Sequence, residues 1–157
     1  MTPDRRGFLG SALAAGFALT PLAALLSACG RASMPEGMVE VKWDRDTCVR
    51  CNMALSDRRF AAQAKGGPKD AHFKFDDIGC AMFWLKEQAW GDDPATRLWV
   101  ADVASRGESV QWLDAKTAWY LGGKTSPMGY NYGATATPQA GALEFADMRA
   151  HILAKGR

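Results

Sequence analysis

The sequence predicts an α+β fold: two small related ββαβ-type halves packed together, preceded by a cleavable N-terminal segment. Three observations carry this. Apolar and polar residues alternate in Val39-Glu40-Val41-Lys42-Trp43, the period-2 pattern of a half-buried strand. An aspartate, Asp76 or Asp77, stands where it can cap a helix running to about Gln88, with Ile78, Met82 and Leu85 on one face. The two halves also match weakly. Met53 in CNMALSDRRFAAQ falls opposite Met128 in SPMGYNYGATATP, and Phe75-Asp76-Asp77-Ile78 falls opposite Phe145-Ala146-Asp147-Met148. Each half alone is too small to bury an adequate core, so the pair is expected to pack together.

Taken in order, residues 39–43 form the first expected strand and Arg59-Phe60-Ala61-Ala62-Gln63 the second. Gly66-Gly67-Pro68-Lys69-Asp70 is a turn, because Gly and Pro punctuate regular structure. After the helix and the loop Gly91-Asp92-Asp93-Pro94, Leu98 to Val103 reads as a strand. The second half begins again with a strand over Thr117 to Leu121, a turn at Gly122-Gly123, a strand over Tyr130 to Thr137 and a helix over Leu143 to Ala154. The expected boundaries are 1–28, 29–38, 39–106 and 107–157.

Residues 1–28 have the layout of a secretory signal peptide: Arg5 and Arg6, then an apolar stretch from Phe8 to Leu26, then small residues. Arg5-Arg6-Gly7-Phe8-Leu9 resembles a twin-arginine export signal. Leu26-Ser27-Ala28-Cys29 resembles a bacterial lipobox, which makes Cys29 the expected lipidated first residue of the mature protein. Acyl chains anchor at about 0.8 kcal/mol per buried methylene. Gly30 stands where an Asp signals inner-membrane retention, so the expectation is a lipid anchor on the periplasmic side of a bacterial membrane, with the outer membrane favoured. Residues 30–38, small and polar with one proline, suit a tether.

Of the 157 residues, 48% are hydrophobic and 23% charged, a globular balance. Without Asp4, Arg5 and Arg6 the formal charge is about +1. Beyond residue 30 the longest basic cluster is Arg58-Arg59, which excludes the electrostatic footprint of a nucleic-acid binder. Two histidines and the lack of a phosphate loop argue against hydrolase and nucleotide chemistry, and the expectation is a protein that is not an enzyme.

Cys48, Cys51 and Cys80 remain after Cys29, and Cys48-Val49-Arg50-Cys51-Asn52-Met53 gathers two thiols and a thioether. Haem attachment is excluded because Asn52 stands where it needs His. A disulfide between Cys48 and Cys51 closes a very small loop and contributes little by loop entropy, so it reads as functional rather than structural. A periplasmic thiol oxidoreductase using that pair is one alternative. A structural zinc site from Cys48, Cys51, His72 and Cys80 is another, although Cys80 reads as a buried mid-helix core residue and His72 as a solvated one. Copper(I) is the third: a soft ion that prefers thiolate and thioether. In an extended segment Cys51 and Met53 point to the same side, and Cys48 or Met128 could complete a low-coordinate site. Core filling is the competing reading for both methionines.

The lipobox, the C-x-x-C-x-M segment, Phe75-Asp76-Asp77-Ile78-Gly79 and Tyr132-Gly133-Ala134-Thr135-Ala136-Thr137-Pro138 together resemble the NosL family, the copper-binding accessory lipoproteins of nitrous oxide reductase maturation. The resemblance runs over residues 40–153. It implies two ββαβ-type halves, copper(I) as the bound metal, and transfer to apo-nitrous oxide reductase through an ABC-transporter-linked assembly apparatus. Cys51 and Met53 match the family's sulfur pair and Cys48 its first cysteine. Asn52 departs from the Gly often found there, but Asn tolerates a left-handed backbone. Either one chain or a homodimer can hold each ion.

Overall fold

The computed structural model describes residues 34–156. The signal segment, the twin arginines and Cys29 lie outside the described residues. The observed order is β1 (Ala62–Gly66), β2 (Ala71–Phe75), α1 (Ile78–Lys86), β3 (Arg97–Ala101), β4 (Trp112–Asp114), β5 (Trp119–Leu121), β6 (Gly133–Thr135) and α2 (Phe145–Lys155). The α+β class is as the sequence predicts.

β1 to β4 form one antiparallel sheet in the order β2-β1-β3-β4. Its register puts Phe75, Ala62, Val100 and Leu113 in one row and Phe73, Ala64 and Leu98 in the next. Cross-strand partners share a face, so this face is apolar throughout. The small alanines of the central strand leave room for α1, whose Trp84 lies against Phe73 and Phe75, with ring centroids 4.4 and 5.6 Å away. Ile78, Met82 and Leu85 of α1 complete the core, together with Met148 and Ile152 of α2. β5 and β6 form a separate antiparallel pair. It meets the larger sheet through a parallel bridge between Asp102 and Ala134. Among the described residues no helix is long and apolar enough to cross a membrane.

The opposite face of the large sheet explains the main correction to the expected elements. It carries Lys74, Gln63, Trp99 and Asp114 in one row and His72, Lys65 and Arg97 in another. Residues 39–43 do not form a strand; they cross this face. β1, whose Gln63 they lie against, already has a neighbour on each edge, so they meet it across the face and not in a ladder. The Gln63 side chain serves instead, donating to Val39 O and accepting from Val39 N, both at 2.9 Å. His72 Nε2 lies 2.8 Å from Gly37 O, and Lys74 Nζ donates to Glu40 O at 2.6 Å. Gln63 is thus fully buried with its amide satisfied on both sides. The expected strand 59–63 is shifted to 62–66, and β2 and β4 are further strands.

α1 starts at Ile78 because Asp77 is its N-cap. Asp77 has an extended backbone, and its Oδ1 accepts from Gly79 N at 3.0 Å. Lys86 in the last turn complements the helix dipole. The junction of β2 with α1, Phe75-Asp76-Asp77-Ile78, is where the candidate site is built.

Candidate metal centre

Residues 48–53 fold into a tight knuckle. Cys48 N donates to Met53 O at 2.8 Å, Asn52 N donates to Cys48 O at 2.9 Å, and Thr47 bridges Ala54 in antiparallel fashion. Asn52 has φ 62°, so the residue in the usual glycine place takes the left-handed conformation that closes the turn. This corrects the expectation of an extended segment: the sulfur-bearing residues sit on a turn. The knuckle is tied to the sheet by Val49 N, which donates to Lys74 O at 3.0 Å.

Folding against the β2–α1 junction, the knuckle gathers four potential ligand atoms: the sulfurs of Cys48, Cys51 and Cys80 and a carboxylate oxygen of Asp76, all within 4.8 Å of one another. Cys48 and Cys80 are fully buried, Asp76 is 2% exposed, and Cys51 is half-buried. All three cysteines are free thiols. The Cys51 thiol donates to Asp76 Oδ1 at 3.3 Å, while Asp76 Oδ2 is buried with no hydrogen-bond partner.

The electrostatics follow from this crowding. The Cys48 thiol is pulled well below its usual range, foremost by a hydrogen bond from the Cys80 thiol and, against the cost of burial, by the backbone N–H groups of Cys51, Asp76 and Arg50. Cys80 is pushed up in turn by its bond to Cys48 and by burial. Burial, Cys48 and Asp76 push up Cys51. Asp76 is raised to about 6, first by burial and then by the charge on Cys48. The crowding thus favours the thiolate at Cys48 and opposes ionisation of Cys51 and Cys80.

Around it, the second half of the chain closes the site. Asp77 Oδ2 accepts from Ser126 Oγ at 2.6 Å and from Met128 N at 3.3 Å, so the helix cap also anchors the loop that carries Met128. Tyr130, on the same loop, lies over Gly79, where a Cβ would sit 2.1 Å from the ring. The Arg50 guanidinium donates from NH1 to Tyr130 Oη at 2.9 Å and lies over the Phe83 ring, 4.8 Å from its centroid.

Of the residues marked from sequence, Cys48 and Cys51 come together. Met53 follows on the outer side of the knuckle and is 56% exposed. Met128 is half-buried against the core, on the Asp77-anchored loop. His72 is not at the cluster; it belongs to the far face of the sheet, against Gly37 O. His151 Nδ1 pairs with Tyr132 Oη at 3.3 Å. Asp76 is the residue that sequence reading missed; Cys80, weighed there as a zinc ligand beside Cys48 and Cys51, was read instead as a buried core residue. Cys80 is not mid-helix but the third residue of α1. The signal was there: a cysteine three places after a capping aspartate falls in the first turn, beside whatever precedes the cap.

A compact set of thiols with one carboxylate, preformed in an α+β scaffold, has the donor chemistry of a soft-metal site. The NosL family model matches residues 40–150, well over half of the sequence, and the chain belongs to the NosL family. It is also similar to the solved structure of the copper chaperone NosL from Shewanella denitrificans, with 16% identity, a TM-score of 0.49, and coverage of 76% of this chain and 89% of that one. No curated protein matches the chain.

Proposed function

We propose that this chain is a copper(I) carrier rather than an enzyme, holding the ion through Cys48 and Cys51 with thioether sulfur from Met53 or Met128. From a lipid anchor at Cys29, on the periplasmic side of a bacterial membrane, it delivers copper to apo-nitrous oxide reductase by way of the ABC-transporter-linked assembly machinery. The observation that carries the reading is a gradient of exposure along one six-residue knuckle: Cys48 buried, Cys51 half-buried, Met53 56% exposed. A carrier must keep its ion from solution and still surrender it. Sulfur ligands graded from interior to surface allow exchange one ligand at a time, an incoming Met, His or Cys adding before a resident sulfur leaves. The thiols must lose protons to bind, so affinity rises with pH.

The test is a copper(I) titration of the reduced chain against a competing chelator, followed by transfer to the apo-reductase. Wild type is expected to bind tightly and transfer. Met53→Leu is expected to weaken binding or slow transfer. Oxidation of Cys48 with Cys51 is expected to abolish binding. Equal copper affinity in the reduced and oxidised proteins would overturn the reading, and thiol–disulfide activity untouched by Met53→Leu would favour an oxidoreductase.

A further inference from the structure

Copper(I) gives Cys48, Cys51 and a thioether their task, and leaves Asp76 and Cys80 without one. A carboxylate is a hard donor that suits copper(I) poorly. Yet Asp76 is 2% exposed, its Oδ1 meets the Cys51 thiol, and its Oδ2 is buried without a partner. An unpaired buried carboxylate oxygen is costly unless a cation or donor meets it.

The geometry points to a four-donor site for a divalent thiophilic cation of the zinc class, formed by Cys48, Cys51, Asp76 and Cys80. Its donors come from three separate stretches: the knuckle, the junction after β2 and the first turn of α1. Their ligand atoms lie within 4.8 Å of one another. A tetrahedral zinc site with bonds of about 2.3 Å has edges near ~3.8 Å, so the cluster needs to contract by only about 1 Å. The second cysteine is followed by a left-handed Asn52, and the backbone N–H groups of Arg50, Cys51 and Asp76 point at Cys48 Sγ.

Charge separates the two metals. Three thiolates and a carboxylate carry four negative charges; a divalent ion leaves two and a monovalent ion three. Arg50, bonded to Tyr130 and to Cys80, offsets one more. In a buried site that difference favours the divalent ion whenever all four donors are ionised. Copper(I) instead takes fewer thiolates and leaves the remaining donors protonated. The two metals share Cys48 and Cys51 and therefore exclude each other, and Asp76 and Cys80 are the ligands that distinguish them.

The experiment is an anaerobic titration of the reduced chain with cobalt(II), then displacement by zinc, with cadmium-113 NMR as a second readout. Expected are intense visible bands of tetrahedral thiolate-bound cobalt(II) at one equivalent, loss of those bands on adding zinc, and a cadmium shift in the range of three sulfurs with one oxygen. Asp76→Asn and Cys80→Ser are each expected to weaken cobalt(II) by roughly tenfold or more, while Met53→Leu leaves it unchanged. Weak six-coordinate cobalt bands, a cadmium shift typical of two or fewer sulfurs, or wild-type affinity in folded Asp76→Asn would each overturn the site. The cadmium measurement uses the wild-type chain, so it stands even where a variant fails to fold. No copper is present in these measurements, so their failure leaves the copper reading intact, and failure of the copper titration leaves this one intact.

Discussion

Replacing Gly79 by Ala sets two effects against each other, and the structure decides between them. Gly79 is the second residue of α1, where Ala is favoured over Gly by about 0.5–1 kcal/mol on helix propensity. But a Cβ at this position would lie 2.1, 2.2 and 2.6 Å from Cγ, Cδ2 and Cδ1 of Tyr130. Tyr130 is 3% exposed, packs on Phe83 at 5.8 Å between centroids, and is held at its hydroxyl by Arg50. The ring must retreat by roughly 1 Å or more, which for an overpacked interior costs about 1–3 kcal/mol. The net expectation is a loss of about 1–2 kcal/mol, or a fall in Tm of roughly 3–10 °C for a domain of this size. Urea unfolding followed by tryptophan fluorescence reads it directly, since the chain has six tryptophans. In a Tyr130→Ala background the clash is gone and the same substitution should become stabilising. A rise in the unfolding midpoint of Gly79→Ala in the wild-type background would refute the reasoning.

Other consequences are equally specific. Asp77→Ala removes a helix cap and the carboxylate oxygen that accepts from Ser126 Oγ and Met128 N, an expected loss of about 2–4 kcal/mol; a change below ~0.5 kcal/mol in chemical denaturation would contradict it. Gln63→Leu strands both polar groups of Val39 and should cost about 1–3 kcal/mol by the same measurement, whereas an unchanged midpoint would mean that residues 39–43 are satisfied elsewhere. Met53→Leu, at an exposed site, should leave unfolding within about 0.5 kcal/mol of wild type while weakening copper(I) in a chelator competition. Burial and the charge on Cys48 raise the Asp76 carboxyl from its ordinary 3.8 to about 6, so this group holds more protons in the folded state across that window. By itself this makes stability fall as pH rises from about 4 to about 6, while Cys48, depressed on folding, makes it rise across the same window; Asp76→Asn should therefore tilt the slope of pH-dependent denaturation towards rising stability, and an unaltered slope would remove Asp76 as a contributor.

What was legible in the sequence was local. The α+β class, α1 with its aspartate cap, β3 and α2 follow from apolar spacing and capping, and each is found within a few residues of its expected place. The knuckle was legible as a motif, and Asn52 at φ 62° does what its tolerance for left-handed backbone allows. Long-range pairing was not legible. Val39-Glu40-Val41-Lys42-Trp43 has a strand's alternation, but the segment lies across the face of the central strand β1, where the Gln63 side chain takes the place of a ladder partner. β2 was hidden for the opposite reason: Ala71-His72-Phe73-Lys74-Phe75 puts His72 and Lys74 on a face that looks solvent-bound until residues 37–41 cover it. The site divided the same way. Cys48 and Cys51 are neighbours in sequence, whereas Asp76 reaches Cys51 across 25 residues, a contact created by the knuckle folding onto the β2–α1 junction. A cysteine three residues beyond a cap was readable as first-turn; that Asp76, and not His72, joins the three thiols was not.

The measurement closest to the central claim is the X-ray absorption spectrum of the reduced chain loaded with one equivalent of copper(I), which counts sulfur against nitrogen and oxygen neighbours at the metal. A first shell of two or three sulfurs, losing sulfur when Cys51 is replaced by Ser, is the predicted result. A shell of nitrogen and oxygen alone, indifferent to Cys51→Ser, would contradict the account.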